Sequence, residues 1–198
     1  APAPAILEFD QTGNLLHHWG GPGQGYDWPD SNHGITIDYK GNVWIGGNGR
    51  GTPPGSTPRA ASRVEEGQTD MTGYWNDNMV LKFTQDGKFL MQIGKPAHTK
   101  GSNDVENLRL PAKIFIDPKT NEAYIADGYG NHRVIVYDAD TGKYKRHWGA
   151  YGNKPEDTNL GPYNPDAPPA QQFRNPVHCA ELANDGLLYV CDRVNDRI

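Results

Sequence analysis

Histidine and cysteine are the residues here that most readily do chemistry, and they are few enough to follow one by one. The 198-residue chain holds 7 His and 2 Cys. His33 stands at the mouth of "NHGITIDYKGNVWIGG", Asn32 to Gly47, which reads as two short strands around a tight turn. An imidazole there could hold a metal, but a histidine is also an ordinary polar residue where a loop becomes a strand. His17, His18, His132 and His147 show no ligand spacing with one another and read as surface residues. Cys179 and Cys191 cannot cage a metal alone, yet they fall on the two arms of one hairpin around "NDG". If residues 184–186 make the turn, the two face each other across the ladder. A disulfide and a pair of reduced, buried thiols both fit.

The elements that must place these residues come from the rest of the chain. With 24 Gly, 16 Pro and 35% hydrophobic residues, turn formers are too dense for a helical bundle and suit many short strands, so the fold is read as all-β. One unit recurs. "HGITID", "GNVWIGG", "NMVLKF" and "KFLMQIG" make one copy; "AKIFID", "NEAYIADG", "HRVIVYD" and "YKRHWG" make the next. "AILEFD" and "NLLHHWG" supply the back half of an earlier copy, and "HCAEL", "GLLYVCD" and "RI" open a later one. Apolar and polar residues alternate within the pieces, as at Ile35, Ile37 and Val134, Val136, which suits strands with one buried face. Turn formers such as "DYKGN", "TQDGK" and "DADTGK" lie between them. Trp19-Gly20, Ile93-Gly94 and Trp148-Gly149 close three units alike, and Trp19 and Trp148 read as packing at blade ends.

A four-stranded meander recurring about every 40 to 50 residues points to a β-propeller rather than a β-sandwich, whose strands need not repeat one end signature. The chain is read as a single partial propeller domain over residues 1–198. Its blade pieces lie at about 4–20, 33–94, 111–149 and 176–198, with rim loops at about 48–75 and 151–172. Only about three blades are present, so a closed ring is expected to need further sequence or another copy of the chain. A net charge of -5 with scattered basic residues lacks the footprint of a nucleic-acid surface. No apolar run approaches the roughly 18 residues of a membrane span, and the mean hydropathy is -0.78. The opening "APAPA" is similar to the region after a signal-peptidase cut, which points to a secreted or periplasmic protein.

"NEAYIADGYGNHRVIVYD" and "DGLLYVCDRVNDRI" resemble the NHL-repeat signature of a strand, Asp, a short loop, Asn and Arg. Among NHL propellers, the order of pieces is similar to the peptidyl-α-hydroxyglycine α-amidating lyases, six-bladed enzymes that split a C-terminal hydroxyglycine into peptide amide and glyoxylate. The resemblance implies an NHL-type propeller, six-bladed when complete. It also implies zinc on the central axis, held by histidines that open inner strands: His33 in "NHGITID" and His178 in "NPVHCAEL", with a third beyond Ile198. Counted from Pro176, His178 sits one residue later than His33 does from Asn32. One residue reverses a strand side chain, so joint coordination requires a bulge or an irregular entry to the strand. The "DGY-x-N-x-R" loop gives Tyr129 as an active-site residue, beside Asp127, Gly128, Asn131 and Arg133. The "DR-x-N-x-R" loop gives Arg193, beside Asp192, Asn195 and Arg197. Tyr129 and Arg193 are thereby the catalytic candidates. The Asp, Asn and second Arg of each loop read as turn braces. A calcium site would take the Ile35 backbone carbonyl.

Zinc on neutral imidazoles with an open position can polarise an oxygen. A tyrosinate could take the hydroxyl proton, and an arginine could hold a carboxylate by a two-pronged contact. Two functions from different classes follow. One is a zinc-dependent carbon–nitrogen lyase acting on a C-terminal hydroxyglycine, with a peptide or small molecule on the central axis. The other is a non-catalytic extracellular binding or assembly module, with a protein partner on a propeller face or self-assembly, because a fold alone does not specify chemistry.

Overall fold

The computed structural model describes residues 3–51 and 76–198. Twelve strands run through them in chain order. A hairpin, β1 (Ile6–Phe9) and β2 (Leu15–Trp19), comes first. Two four-stranded antiparallel sheets follow. The first is β3 (Asn32–Ile37), β4 (Val43–Gly47), β5 (Met79–Phe83) and β6 (Phe89–Gly94); the second is β7 (Ile114–Asp117), β8 (Glu122–Asp127), β9 (Arg133–Asp138) and β10 (Tyr144–Trp148). A last hairpin pairs β11 (Val177–Leu182) with β12 (Leu188–Asp192). Within each sheet, strands are neighbours in space as in sequence, which is the up-and-down meander of a propeller blade. The described residues therefore form an all-β, partial propeller with two full and two half blades, and their sheets do not close into a ring.

Turn chemistry sets the strand lengths. In the β3–β4 hairpin, Asp38 accepts the backbone N–H of Lys40 and of Asn42 at 2.9 Å each, and Gly41 takes a left-handed φ of 83°. The Asp10 turn between β1 and β2 repeats this arrangement, with Thr12 and Asn14 as donors. A short polar side chain that mimics the backbone and a glycine free of Cβ are what such turns need.

The middle strands depart from the one-faced expectation. Every residue of β4, β5 and β8 is buried. On β8 and β9, Tyr124, Ala126, Val134 and Val136 face the last half blade, while Ala123, Ile125, Ile135 and Tyr137 face the preceding blade. Successive side chains point to opposite faces of a sheet, so a blade between two neighbours buries both sets. Each such aliphatic side chain contributes roughly 1.5–3 kcal/mol by leaving water. A third cluster, Val43, Ile45, Leu81 and Phe83 with Trp19 and Trp28, joins the first hairpin to the first full blade.

The loop prediction at about 48–75 lies, from residue 52 on, outside the described residues. The segment 153–176 joins the second full blade to the last hairpin without regular strands. No helix among the described residues is long and apolar enough to cross a membrane.

Candidate functional site

Three inner-strand beginnings and two loops meet around Tyr129. His33 is the second residue of β3 and His178 the second residue of β11. Both strands carry a one-residue irregularity at the histidine. On β3 the pairing jumps from Asn32↔Gly47 to Ile35↔Ile45; on β11 it jumps from Val177↔Asp192 to Cys179↔Cys191. An extra residue in one strand re-aims a side chain that a regular ladder would turn away. A bulge or an irregular entry is what the sequence asks of His178 if it is to face the same point as His33, and each histidine sits at a bulge.

The result is a convergence on one oxygen. The Tyr129 hydroxyl lies 3.1 Å from His33 Nε2 and 3.1 Å from His178 Nε2. The two imidazole centroids are 5.7 Å apart and nearly perpendicular. Tyr129 stands in the loop between β8 and β9, fixed by its N–H to the Leu110 carbonyl (3.2 Å) and by Asn175 Nδ2 donating to its own carbonyl (3.1 Å). The Arg193 guanidinium lies over the Tyr129 ring, 5.9 Å from its centre. Thus His33, His178, Tyr129 and Arg193 are brought together. Ile35 stays in the β3 ladder opposite Ile45, with its side chain exposed.

The hydrogen bonds assign the protons. A carbonyl can only accept, so His33 Nδ1–H donates to the Ala112 carbonyl at 3.3 Å and leaves Nε2 with a lone pair. The Tyr129 O–H then donates to His33 Nε2, and its oxygen accepts from His178 Nε2–H; this assignment follows from the network. Burial holds His33 below the usual histidine pKa, opposed by the Ala112 carbonyl and reinforced by the positive Arg193. A neutral imidazole, oriented by a carbonyl on its far nitrogen, is the form in which histidine binds metals. The donor set fits zinc in kind: His33 Nε2 offers a lone pair, and His178 Nε2, aimed at the same point, would offer one with its proton on Nδ1. Among the described residues, no group of three or more His, Cys, Asp or Glu side chains could hold a metal.

The loop braces are buried carboxylates. Arg133 and Asp127 are both fully buried, with Nε to Oδ2 at 2.8 Å. Arg133 also donates to the carbonyls of Ser102 (3.0 Å), Asp104 and Asn107 (2.8 Å), while Asp127 accepts Asn131 Nδ2 and the Arg109 N–H. Asp192 repeats the role, accepting the Arg174 N–H, Asn195 Nδ2 and Arg197 Nε. In the first full blade the carboxylate comes from Asp77, just before the third strand, and accepts the N–H groups of Asp30, Ser31 and Gly49. Sequence reasoning did not single out Asp77, because it lies on the far side of the insertion from its counterpart positions.

His132 is a correction. It was read as a surface residue, but it is 1% exposed, donating from Nδ1 to the Phe173 carbonyl at 2.7 Å. The loop that carries Tyr129 is covered by Ser102 and Phe173, and burial holds the His132 pKa down. His17 and His18 are exposed, and His147 is half-buried with Nδ1 2.9 Å from the Tyr144 hydroxyl.

Sequence reasoning also missed Gly34. A Cβ there would overlap the Ala112 carbonyl oxygen, the group that orients His33. Gly128 is equivalent on the other side, since a Cβ there would overlap the Val177 backbone beside His178. The readable signal was a glycine next to a candidate residue at a strand end, where close backbone approach is a standing reason for glycine.

No protein-family profile matches the chain. It is 26% identical over 166 residues to peptidyl-glycine alpha-amidating monooxygenases B and A of Xenopus laevis, and 23% identical over 168 residues to peptidyl-glycine alpha-amidating monooxygenase of Mus musculus. The matches cover 84% of this chain but only 14%, 14% and 13% of the relatives, so the chain spans about a seventh of their length. This is a distant similarity to one region of amidating enzymes.

Proposed function

We propose that the protein is a zinc-dependent lyase of NHL-propeller type, acting outside the cytoplasm on peptides that end in α-hydroxyglycine. The observation that carries this reading is the convergence of His33 Nε2 and His178 Nε2 on the Tyr129 oxygen. The distant similarity to proteins named for peptide-glycine amidation agrees with it. The Cys179–Cys191 disulfide supports an oxidising compartment, where such bonds persist.

In this proposal His33 and His178 would hold zinc, which when bound would supply Lewis-acid polarisation of a substrate oxygen. Arg193 receives the substrate carboxylate by a two-pronged contact. Tyr129, once deprotonated, takes the proton of the α-hydroxyl. The oxygen's electron pair forms the aldehyde carbonyl of glyoxylate, and the carbon–nitrogen bond breaks. The proton passes to the nitrogen, which leaves as the peptide amide. Calcium at the Ile35 carbonyl belongs to the same proposal. The test is glyoxylate release from a hydroxyglycine peptide by the intact protein, before and after zinc removal by a chelator. Zinc-dependent release supports the lyase, whereas no release from the zinc-loaded protein favours a non-catalytic module.

A further inference from the structure

We propose that the Cys179–Cys191 disulfide is the positioning element of this site, fixing the bulge that turns His178 toward Tyr129 and, through Asp192, the start of the Arg193 turn. The inference rests on the reading that these side chains form one binding site. Its argument is a contrast between two bulges. That of His33 is seated by Gly34, which lets the strand close on the Ala112 carbonyl. The His178 bulge has no glycine in its own strand, and the rung beside it, Cys179↔Cys191, is covalent.

The covalent rung is placed beside the bulge. Val177↔Asp192 precedes the bulge and Cys179↔Cys191 follows it, with His178 the extra residue of the ladder between them. Gly128 rests on the Val177 backbone from the Tyr129 side, and the disulfide closes the other side. Cys191 also adjoins Asp192, which accepts the Arg174 N–H, Asn195 and Arg197 around the Arg193 turn. One bond thus ties the backbone of both His178 and Arg193.

The test compares the intact protein with C179S/C191S, first metal-free by nitrogen NMR of the imidazole rings, then by zinc titration against a chromophoric chelator. In the variant, His33 is expected to keep its Nδ1–H donor signature while His178 loses its hydrogen-bonded Nε2 signal. Zinc affinity is expected to fall about 10- to 100-fold, as when groups that orient a ligand are removed. Unchanged His178 signals overturn the proposal, whether or not zinc binds. If the wild type binds no zinc but His178 still comes loose in the variant, the positioning claim stands and the zinc reading fails. Should the serine pair not fold, Cys179→Ala/Cys191→Val replaces it. If neither folds, the bond supports the whole domain rather than the bulge, and the proposal is overturned.

Discussion

Replacing Tyr129 by Phe removes one oxygen and leaves the ring, and the structure separates what that oxygen does for stability from what it would do for chemistry. It makes two hydrogen bonds, each 3.1 Å long, to His33 and His178. At a net 0.5–1.5 kcal/mol per bond the ceiling is about 3 kcal/mol. The imidazoles are only partly buried and water can meet their freed nitrogens, so the expected loss is nearer ~1 kcal/mol. A proton acceptor in the reaction would instead contribute about 10²–10⁴ in rate, or roughly 3–5 kcal/mol of barrier. Urea unfolding reads the first quantity and glyoxylate release the second. The variant should stay folded, keep its zinc because both imidazoles remain, and lose at least a hundredfold in kcat. A kcat within tenfold of wild type would refute Tyr129 as the proton acceptor. A stability loss above about 3 kcal/mol would refute the hydrogen-bond accounting.

Other perturbations test the scaffold. Arg133→Met strands the fully buried Asp127 and three backbone carbonyls, so unfolding free energy should fall by about 3–5 kcal/mol; a loss under ~1 kcal/mol in urea would contradict the brace. Gly128→Ala pushes a Cβ into the Val177 backbone and should cost about 1–3 kcal/mol, read as a lower Tm, while an unchanged Tm would mean the loop has room. Glu122 is held at a pKa of about 2, first by Arg146, then by Lys145 and Tyr124, against burial. Its folded value is depressed, so the stability it contributes is present above the unfolded carboxyl value near 4.3 and is lost as pH falls toward 2. Since Arg146 is 46% exposed, Glu122→Gln should cost only ~1–2 kcal/mol at pH 7. The difference should vanish near pH 2, and a gap that persists there would refute the assignment.

The blades were legible in sequence because alternation, turn residues and the repeated end signature are local signals. What alternation could not say was that β4, β5 and β8 are buried on both faces, since that depends on neighbouring blades. The same limit hid His132, whose cover comes from Ser102 and Phe173, 30 and 41 residues away. For the candidate site, motif loops pointed to Tyr129 and Arg193, and strand beginnings to His33 and His178. Counting positions left His178 out of step with His33, because a bulge adds a residue at a point that only the pairing with the partner strand reveals. Cys179 and Cys191 were legible as facing residues, and the structure joins them as a disulfide. The glycines that let backbones touch, Gly34 and Gly128, acquire meaning only once Ala112 and Val177 lie against them.

The central claim is that His33 and His178 act as one pair. The direct measurement is zinc content of the intact protein after equilibration with equimolar zinc, beside His33→Ala and His178→Ala, each verified as folded. The account predicts one zinc per wild-type chain and loss of tight binding in either variant. A wild type that binds no zinc, or variants that hold it as tightly as the wild type, would contradict it.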